Sequence, residues 1–508
     1  MDKNEISFIE KIGQKIPDPA VIFMILYIIT LVVSVILGGT EFSTLGRDGD
    51  TVTYYINNML STENIVWIFD NALLANWLAY GGGVLGVILI VMFGVGIAED
   101  SGLLTTLIKK VGMKVSDKYL PVLLVFIGIM SNIASDAGYV ILIPLAGLLY
   151  AGLRKNPLIG MAAAFAGVSA GFSANLIPAT SADIIIGKNT ALFAESQNIP
   201  FVSATGQVLN YATMHYYFIF ISTFLLSAVG AFVTIKIISP RLEKVQYTIP
   251  EDMNLSDFAV KPEEDSALKV AAIGFVIALL CLAGLYLGPL APYDVDGETI
   301  SPFVNNIILM ITFVFLLPGL AYGFASKKYK NSGDVVQALA RRIGGMGYVL
   351  VLTFFSYNFL ALLSRSNIGT YITFLGATAL ENMGLGRYPT LLIIGFILTT
   401  ALINLFVGGL TSKWLLLGPV FIPMLYQVHP GMTPDLVSAA YRVADSSTNI
   451  VTPMMSYAGV VLAFMKKYKS DFTIANLISI MFPYSVAFLL VWTVLLLIFF
   501  HFGLPFGY

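Results

Sequence analysis

Long runs of apolar residues dominate this sequence, and they constrain its fold more than any other feature. An α-helix needs about 20 such residues to cross the hydrocarbon core of a bilayer. Runs of this length recur along the 508-residue chain, whose side chains are 57% hydrophobic and only 11% charged. Soluble domains carry about 25% charged residues. We therefore predict an all-α polytopic membrane protein and exclude a soluble enzyme, a disordered chain and a nucleic-acid-binding protein.

Nine of the runs are predicted to cross the bilayer as single helices. They lie near residues 19–39, 81–101, 157–182, 213–238, 268–290, 303–325, 343–364, 433–465 and 473–501. The first run exceeds the length of a signal-peptide core, so we interpret it as an uncleaved crossing. Two further regions, 118–153 and 389–428, carry polar interruptions, SNIASDAG at 131–138 and GGLTSKW at 408–414. Each is either two crossings or a re-entrant hairpin.

The distribution of lysine and arginine predicts the orientation, because cytoplasmic loops hold the excess of these residues. With both interrupted regions treated as hairpins, 22 of the 28 fall in the cytoplasm. The other six are Arg47, Lys188, Arg365 and Arg387, which fall outside, and Lys413 and Arg442, which fall at membrane depth. The amino terminus is then cytoplasmic and the carboxyl terminus outside. An even number of crossings inside each region gives the same count, but the polar tips favour hairpins.

Two segments of the chain contain the same elements in the same order, and we predict that they have opposite orientations in the membrane. Repeat 1 covers residues 81–238, with hairpin 118–153 and a broken helix near 175–178, and repeat 2 covers 343–508, with hairpin 389–428 and a broken helix near 449–453. Residues 1–80 hold the first crossing and an outside loop, and residues 239–342 hold a cytoplasmic linker and two central crossings.

An inverted repeat with broken helices is typical of secondary transporters, which bind substrate between the repeats near the membrane midplane. The sequence has no G-x-x-x-x-G-K-[ST] motif for ATP, which argues against a primary pump. An anion channel with the hairpins as pore loops stays open as an alternative. We predict a transporter and not an enzyme.

Polar residues at the breaks and hairpin tips offer hard oxygen ligands for a coupling Na⁺. The candidates are Asn175, Asn449, Ser135, Ser173, Ser412, Ser446 and Thr448. The two asparagines are the predicted centre of such a sodium site. The alternative is a pair of proline kinks capped by neighbouring polar groups.

Charges at membrane depth cost about 2.5–3.5 kcal/mol each on insertion scales, so each calls for a partner or a function. Asp136 and Lys413 occupy equivalent hairpin tips, and Arg442 and Asp445 lie on one helix face. Arg442 or Lys413 can bind a substrate carboxylate and Asp445 a coupling ion, or else Arg442 and Asp445 form an internal ion pair. Asp183 either carries a coupling proton or only caps a helix.

Tryptophan, histidine and cysteine give weaker evidence for a functional site. Trp414 either stacks on an aromatic ligand or packs as an ordinary tryptophan. The histidines, His215, His429 and His501, are far apart and are interpreted as interfacial. With the single cysteine, Cys281, they predict neither an intramolecular disulfide nor a cysteine or histidine metal cluster.

Five segments, in order along nearly the whole chain, resemble the AbgT family of p-aminobenzoyl-glutamate transporters. They are IPDPAVIF (16–23), SDAGYVILIPLAG (135–147), AGFSANLIPATSAD (170–183), TSKWLLLGPVFIPM (411–424) and YRVADSSTNIVTPMMSY (441–457). The resemblance implies nine crossings plus two hairpins, a homodimer, and a place among the elevator-like carriers of the ion-transporter superfamily. It also implies functional roles for Asp183, Ser412, Pro434, Arg442, Asp445 and Pro453.

The residues and the resemblance together predict a secondary transporter in the bacterial inner membrane. It would move p-aminobenzoyl-glutamate or a similar small aromatic carboxylate, coupled to a proton or sodium gradient, with no cofactor. The alternative is a proton-driven exporter of sulfonamide antimetabolites. The expected partners are the substrate, the lipid bilayer and a second copy of the chain.

Overall fold

The protein is represented by a computed structural model that describes residues 17–45, 51–112, 119–134, 138–249, 260–295, 298–344, 346–405, 409–452 and 457–508. Helices account for most of this chain. The first half contains α1 (Pro19–Ile36), α2 (Thr62–Asn71), α3 (Tyr80–Asp100), α4 (Leu103–Gly112), α5 (Leu120–Met130), α6 (Ile143–Gly152), α7 (Pro157–Phe165), α8 (Ser181–Ser196), α9 (Tyr216–Val233) and α10 (Ser239–Leu242). The second half contains α11 (Pro262–Leu287), α12 (Pro302–Asn305), α13 (Ile307–Ala325), α14 (Ser332–Gly344), α15 (Gly347–Arg365), α16 (Ile368–Asn382), α17 (Pro389–Asn404), α18 (Leu410–Val428), α19 (Pro434–Thr448), α20 (Ala458–Tyr468) and α21 (Ile474–Phe502).

Two short antiparallel β-hairpins interrupt this helical fold, so the strict all-α prediction is wrong in detail. Strand β1 (Glu41–Leu45) pairs with β2 (Thr51–Tyr55), with Glu41 opposite Tyr55. Strand β3 (Tyr293–Val295) pairs with β4 (Glu298–Ile300). These segments are rich in the β-branched and aromatic residues that favour strands, and Phe42 buries its ring against Tyr54 and Tyr371.

Six helices in the described part of the chain are long and apolar enough to cross a membrane. They are Pro19–Ile36, Tyr216–Leu242, Pro262–Leu287, Ile307–Ala325, Gly347–Arg365 and Ile474–Phe502. Each overlaps a predicted crossing. The predicted crossing at 81–101 corresponds to the 21-residue helix α3, and the two remaining ones, 157–182 and 433–465, correspond to interrupted helices.

The first interruption lies between α7 and α8. Helix α7 continues through the π-helical turn Ala166–Ala170, and regular helix resumes only at Ser181. Within the gap, the buried Ala179 has a left-handed backbone with φ of 55°. This conformation costs an L-residue about 1–2 kcal/mol. It follows Pro178, which has no N–H to continue a helix. The residues at the break are therefore enough to explain why the helix ends there.

The second interruption lies between α19 and α20. Helix α19 ends at Thr448, a 3₁₀ turn covers Asn449–Val451, and α20 begins at Ala458. If the interruptions lie in the hydrocarbon region of a bilayer, their freed backbone groups need protein or cavity partners. They therefore mark the places where a polar site can be built.

The two regions with polar interruptions each form a pair of helices. Region 118–153 contains α5 and α6, of 11 and 10 residues, which are too short to cross a bilayer singly. Region 389–428 contains α17 and α18, of 16 and 19 residues. Helix α8 packs against α18 and α19. This packing brings the first interruption next to α18 of region 389–428 and to α19, the second interrupted helix.

A glycine allows the first interrupted helix to lie against α5. A Cβ atom built on Gly167 would be 2.2 Å from the Val125 carbonyl oxygen, so a helix would have to shift. We expect Gly167→Ala to destabilise the protein by about 1–3 kcal/mol, the usual cost of overpacking, measured as a lower melting temperature in detergent. Gly395→Ala in α17 is the matched control, because its Cβ would meet no atom within 4 Å. Equal melting temperatures for the two variants would contradict the close packing.

Candidate functional site

A buried ion pair joins the helix pair of region 389–428, α17 and α18, to α19, the second interrupted helix. Lys413, in the first turn of α18, pairs with Asp445 of α19, and neither side chain is exposed. The Lys413 ammonium also donates to the side-chain carbonyl of Asn404, the last residue of α17. The Asn404 amide donates to the Asp445 backbone oxygen and to the Thr448 hydroxyl, both at 2.7 Å. Both helices of the region are thus held to α19 by polar contacts.

A second buried ion pair joins α19 to the first interruption. The Nη2 atom of Arg442 donates to Oδ1 of Asp183 at 2.6 Å and to the backbone oxygen of Ser173 at 3.0 Å. The other carboxylate oxygen, Oδ2, accepts from the backbone N–H and the hydroxyl of Thr180, at 2.9 and 2.8 Å. Asp183 therefore caps α8, one of its two predicted roles, and also neutralises Arg442.

Arg442 and Asp445 each take an ion partner from a helix other than α19. Arg442 pairs with Asp183 at the start of α8, and Asp445 pairs with Lys413 of α18. The alternative prediction of an internal Arg442–Asp445 pair is therefore wrong, because two neighbouring helices offer an opposite charge to each residue. Removing one member of a buried pair leaves the other charge uncompensated and costs about 3–5 kcal/mol. The two pairs thus fix how α8, α18 and α19 sit together.

Three of the predicted sodium ligands, Asn175, Asn449 and Thr448, already take part in protein hydrogen bonds. The side-chain oxygen of Asn175 accepts from the Ile177 N–H at 3.0 Å, and that of Asn449 accepts from Asn404 at 3.1 Å. The Thr448 hydroxyl donates to the Ala444 carbonyl at 2.7 Å. Each carbonyl oxygen keeps a second lone pair, so sodium binding there stays a prediction. The buried hydroxyls of Ser173 and Ser446 have no hydrogen-bond partner among the described residues.

Trp414 lies wholly inside the protein. Its ring centroid is 4.5 Å from that of Tyr441 and 6.1 Å from that of Phe193, and its indole N–H donates to the Thr190 hydroxyl at 3.2 Å. The ring therefore packs on protein aromatics in this structure, as in the second of its two interpretations. Direct stacking on a ligand stays a prediction that requires a different arrangement of α18.

The remaining predicted residues divide into two groups. Ser412 is buried and donates to the Gly409 carbonyl at 3.1 Å, and Pro434 is the first residue of α19. They lie in α18 and α19, the two helices that the Lys413–Asp445 pair joins. Ser135, Asp136 and Pro453 lie outside the described residues.

Two site residues were not among the predicted ones. Asn404 contacts Lys413, and it stands out in the sequence only as an amide within an apolar helix. The interfacial position predicted for His215 is wrong, because this residue is 2% exposed and its Nδ1 lies 3.2 Å from Nη1 of Arg442. A lone histidine at the start of an apolar run gives no signal of such a contact, because α19 lies more than 200 residues further along the chain.

This architecture matches characterised transporters over nearly its full length. A solved structure of the Alcanivorax borkumensis YdaH transporter, described as having an unusual topology, superposes with a TM-score of 0.86 at 33% identity, covering 97% of this chain and 100% of that one. Neisseria gonorrhoeae MtrF, whose structure is described as illuminating a class of antimetabolite efflux pumps, gives a TM-score of 0.85 at 33% identity, with 97% of each chain covered.

Sequence comparison agrees with the structural similarity. The p-aminobenzoyl-glutamate transport protein of Escherichia coli (strain K12) is 30% identical over 507 residues, which cover 98% of this chain and 95% of that protein. The family model described as "AbgT putative transporter family" matches residues 5–508. The predicted resemblance is confirmed: the chain is a membrane transporter that belongs to the AbgT family.

Proposed function

We propose that the protein is a secondary active transporter that moves p-aminobenzoyl-glutamate, or a similar aromatic carboxylate, across the bacterial inner membrane. The observation that carries this proposal is the pair of buried cations, Arg442 and Lys413, each neutralised by a carboxylate of the protein where the helices are interrupted. A substrate carboxylate can replace Asp183 or Asp445 at these cations. The name of the Escherichia coli relative supports the choice of substrate.

The guanidinium of Arg442 can bind a carboxylate in a second geometry, through two N–H donors instead of one. Its contact with Asp183 uses Nη2 alone, and its Nε–H is buried without a hydrogen-bond partner among the described residues. Arginine binds carboxylates most strongly through two parallel N–H donors. A substrate carboxylate that displaced Asp183 would gain this second donor, which offsets part of the energy needed to break the existing pair.

Lys413 offers a second anion site close to the first. Its partner Asp445 lies three residues after Arg442, about 4.5 Å along the helix axis. A small ligand with two carboxylates can therefore address both cations from one side of α19. The aromatic end of such a ligand needs an apolar surface, which Trp414, Tyr441 and Phe193 could supply after a rearrangement.

Charge balance provides the reason for ion coupling. The two ion pairs are neutral together, so each substrate carboxylate that enters adds one uncompensated negative charge in a region that disfavours charge. Protons on Asp183 and Asp445 would restore neutrality and release the two cations for the substrate. Sodium ions at the oxygens of Asn175 and Asn449 are the alternative.

The topology is also part of the proposal. We infer nine crossings and two re-entrant hairpins in an inverted repeat, with the amino terminus in the cytoplasm and the carboxyl terminus outside. The short paired helices α5 and α6, the two interruptions and the distribution of lysine and arginine support it. A homodimer is proposed from the family resemblance.

Transport by purified protein in liposomes tests this function. We expect saturable uptake of labelled p-aminobenzoyl-glutamate that is driven by an imposed proton gradient, with a sodium gradient as the parallel arm. Uptake that ignores both gradients would contradict coupling, and single-channel currents would favour a channel. No uptake, with gradient-driven accumulation of labelled sulfonamide instead, would identify the exporter that the description of MtrF suggests.

A further inference from the structure

His215 contacts α19 at two places, near its first turn and at Arg442. It lies immediately before α9 in repeat 1 and is 2% exposed. Its Nδ1 is 3.2 Å from Nη1 of Arg442. Its Nε2 is 3.0 Å from the Asp435 backbone oxygen and 3.0 Å from the Ser438 hydroxyl. The imidazole therefore spans from the first turn of α19 to Arg442, two turns further along.

These contacts determine the tautomer of the ring. A guanidinium has only donors, so Nδ1 must accept from Arg442 and the proton must sit on Nε2. Nε2–H then donates to the Asp435 carbonyl, and the Ser438 hydroxyl donates its own hydrogen to the Pro434 carbonyl at 2.7 Å. An imidazolium would direct an N–H at the guanidinium. The geometry therefore requires a neutral ring.

The contact with His215 is independent of the contact with Asp183. His215 holds Nη1, whereas Asp183 and the Ser173 carbonyl hold Nη2. When a substrate displaces Asp183, the bond from Nη1 to His215 can persist. A guanidinium that stays fixed loses less conformational freedom on binding, which increases affinity.

We propose that His215 is a positioning residue that holds Arg442 in the orientation that accepts a substrate carboxylate. This inference rests on the proposed function of Arg442. It predicts that the acceptor at Nδ1, rather than the bulk of the ring, is what substrate binding needs.

Two isosteric replacements separate these roles. In His215→Asn the amide oxygen lies near the position of Nδ1 and can accept from Arg442. In His215→Gln the amide lies near the position of Nε2, and the acceptor for Arg442 is lost. His215→Ala loses both contacts.

The experiment measures the KM for p-aminobenzoyl-glutamate in proteoliposomes, its equilibrium binding to the detergent-solubilised protein, and the melting temperature of each variant. We expect His215→Ala and His215→Gln to raise KM and Kd by at least about tenfold, the effect of a hydrogen bond to a charged group, with a smaller change in kcat. His215→Asn should recover most of the affinity. The exposed His501→Ala is the matched control.

Three results would overturn the proposal. One is a wild-type Kd in His215→Ala. Another is an equal loss of affinity in His215→Asn and His215→Ala at unchanged melting temperature, which would indicate packing alone. The third is failure of the wild-type protein to bind the compound, which would remove Arg442 as its site. If the wild-type protein binds but does not transport the compound, the carrier function fails while the binding comparison still decides the role of His215.

Discussion

Replacing Arg442 with alanine should abolish transport and also destabilise the protein. Asp183 is 4% exposed, and without the guanidinium its carboxylate would be a buried charge with no cation. Removing one member of a buried ion pair costs about 3–5 kcal/mol. The substrate would lose its two-donor site as well, so we expect transport to fall at least about 100-fold, since each 1.36 kcal/mol is worth a factor of ten. Proteoliposome uptake and melting temperature measure the two effects.

Two further variants separate charge from shape at this position. Arg442→Lys keeps the positive charge but cannot form two parallel hydrogen bonds, so it should restore stability more than transport. Arg341→Ala is the control, because Arg341 is a largely exposed arginine that pairs with Asp100 at 3.1 Å, and Asp100 keeps a second cation, Arg342, at 3.9 Å. Transport by Arg442→Ala at more than about a tenth of the wild-type rate would contradict a substrate role, because the lost energy would then be below about 1.4 kcal/mol.

The sequence predicts the interruptions because their causes are local. Pro178 removes a backbone donor, Thr180 caps the next helix, and an asparagine stands three residues before the proline. The apolar runs likewise predict the helices, because bilayer thickness sets their length. Two β-hairpins were missed because the polarity of a loop does not report strand pairing.

The pairing of charges could not be predicted in this way. The sequence predicts that Arg442 and Asp445 are charges at membrane depth, but their partners, Asp183 and Lys413, are set by which helices pack against α19. Helical periodicity shows which residues share one face of a helix, but it does not show which other helix packs against that face. The sequence gives no sign of the contacts of His215 for the same reason, because they exist only after the start of α9 has packed against α19.

The second large effect is expected at Lys413. Lys413→Met should leave Asp445 as a completely buried carboxylate without its cation, and we expect a loss of about 3–5 kcal/mol of stability. Adding Asp445→Asn removes the stranded charge, and replacing a buried ion pair with neutral groups is often close to neutral for stability. The double variant should therefore recover most of the melting temperature that Lys413→Met loses.

Transport should not recover together with stability. If Lys413 binds a substrate carboxylate and Asp445 carries a coupling ion, the double variant has a neutral and folded site that lacks both groups, and uptake should stay at background. A purely structural ion pair gives the opposite result, because restoring the fold would then restore transport. Uptake and melting temperature should therefore be measured on Lys413→Met, Asp445→Asn and the double variant. These measurements decide whether the pair functions in transport or only stabilises the contact between α18 and α19. Recovered uptake in the double variant would show that the pair only stabilises this contact.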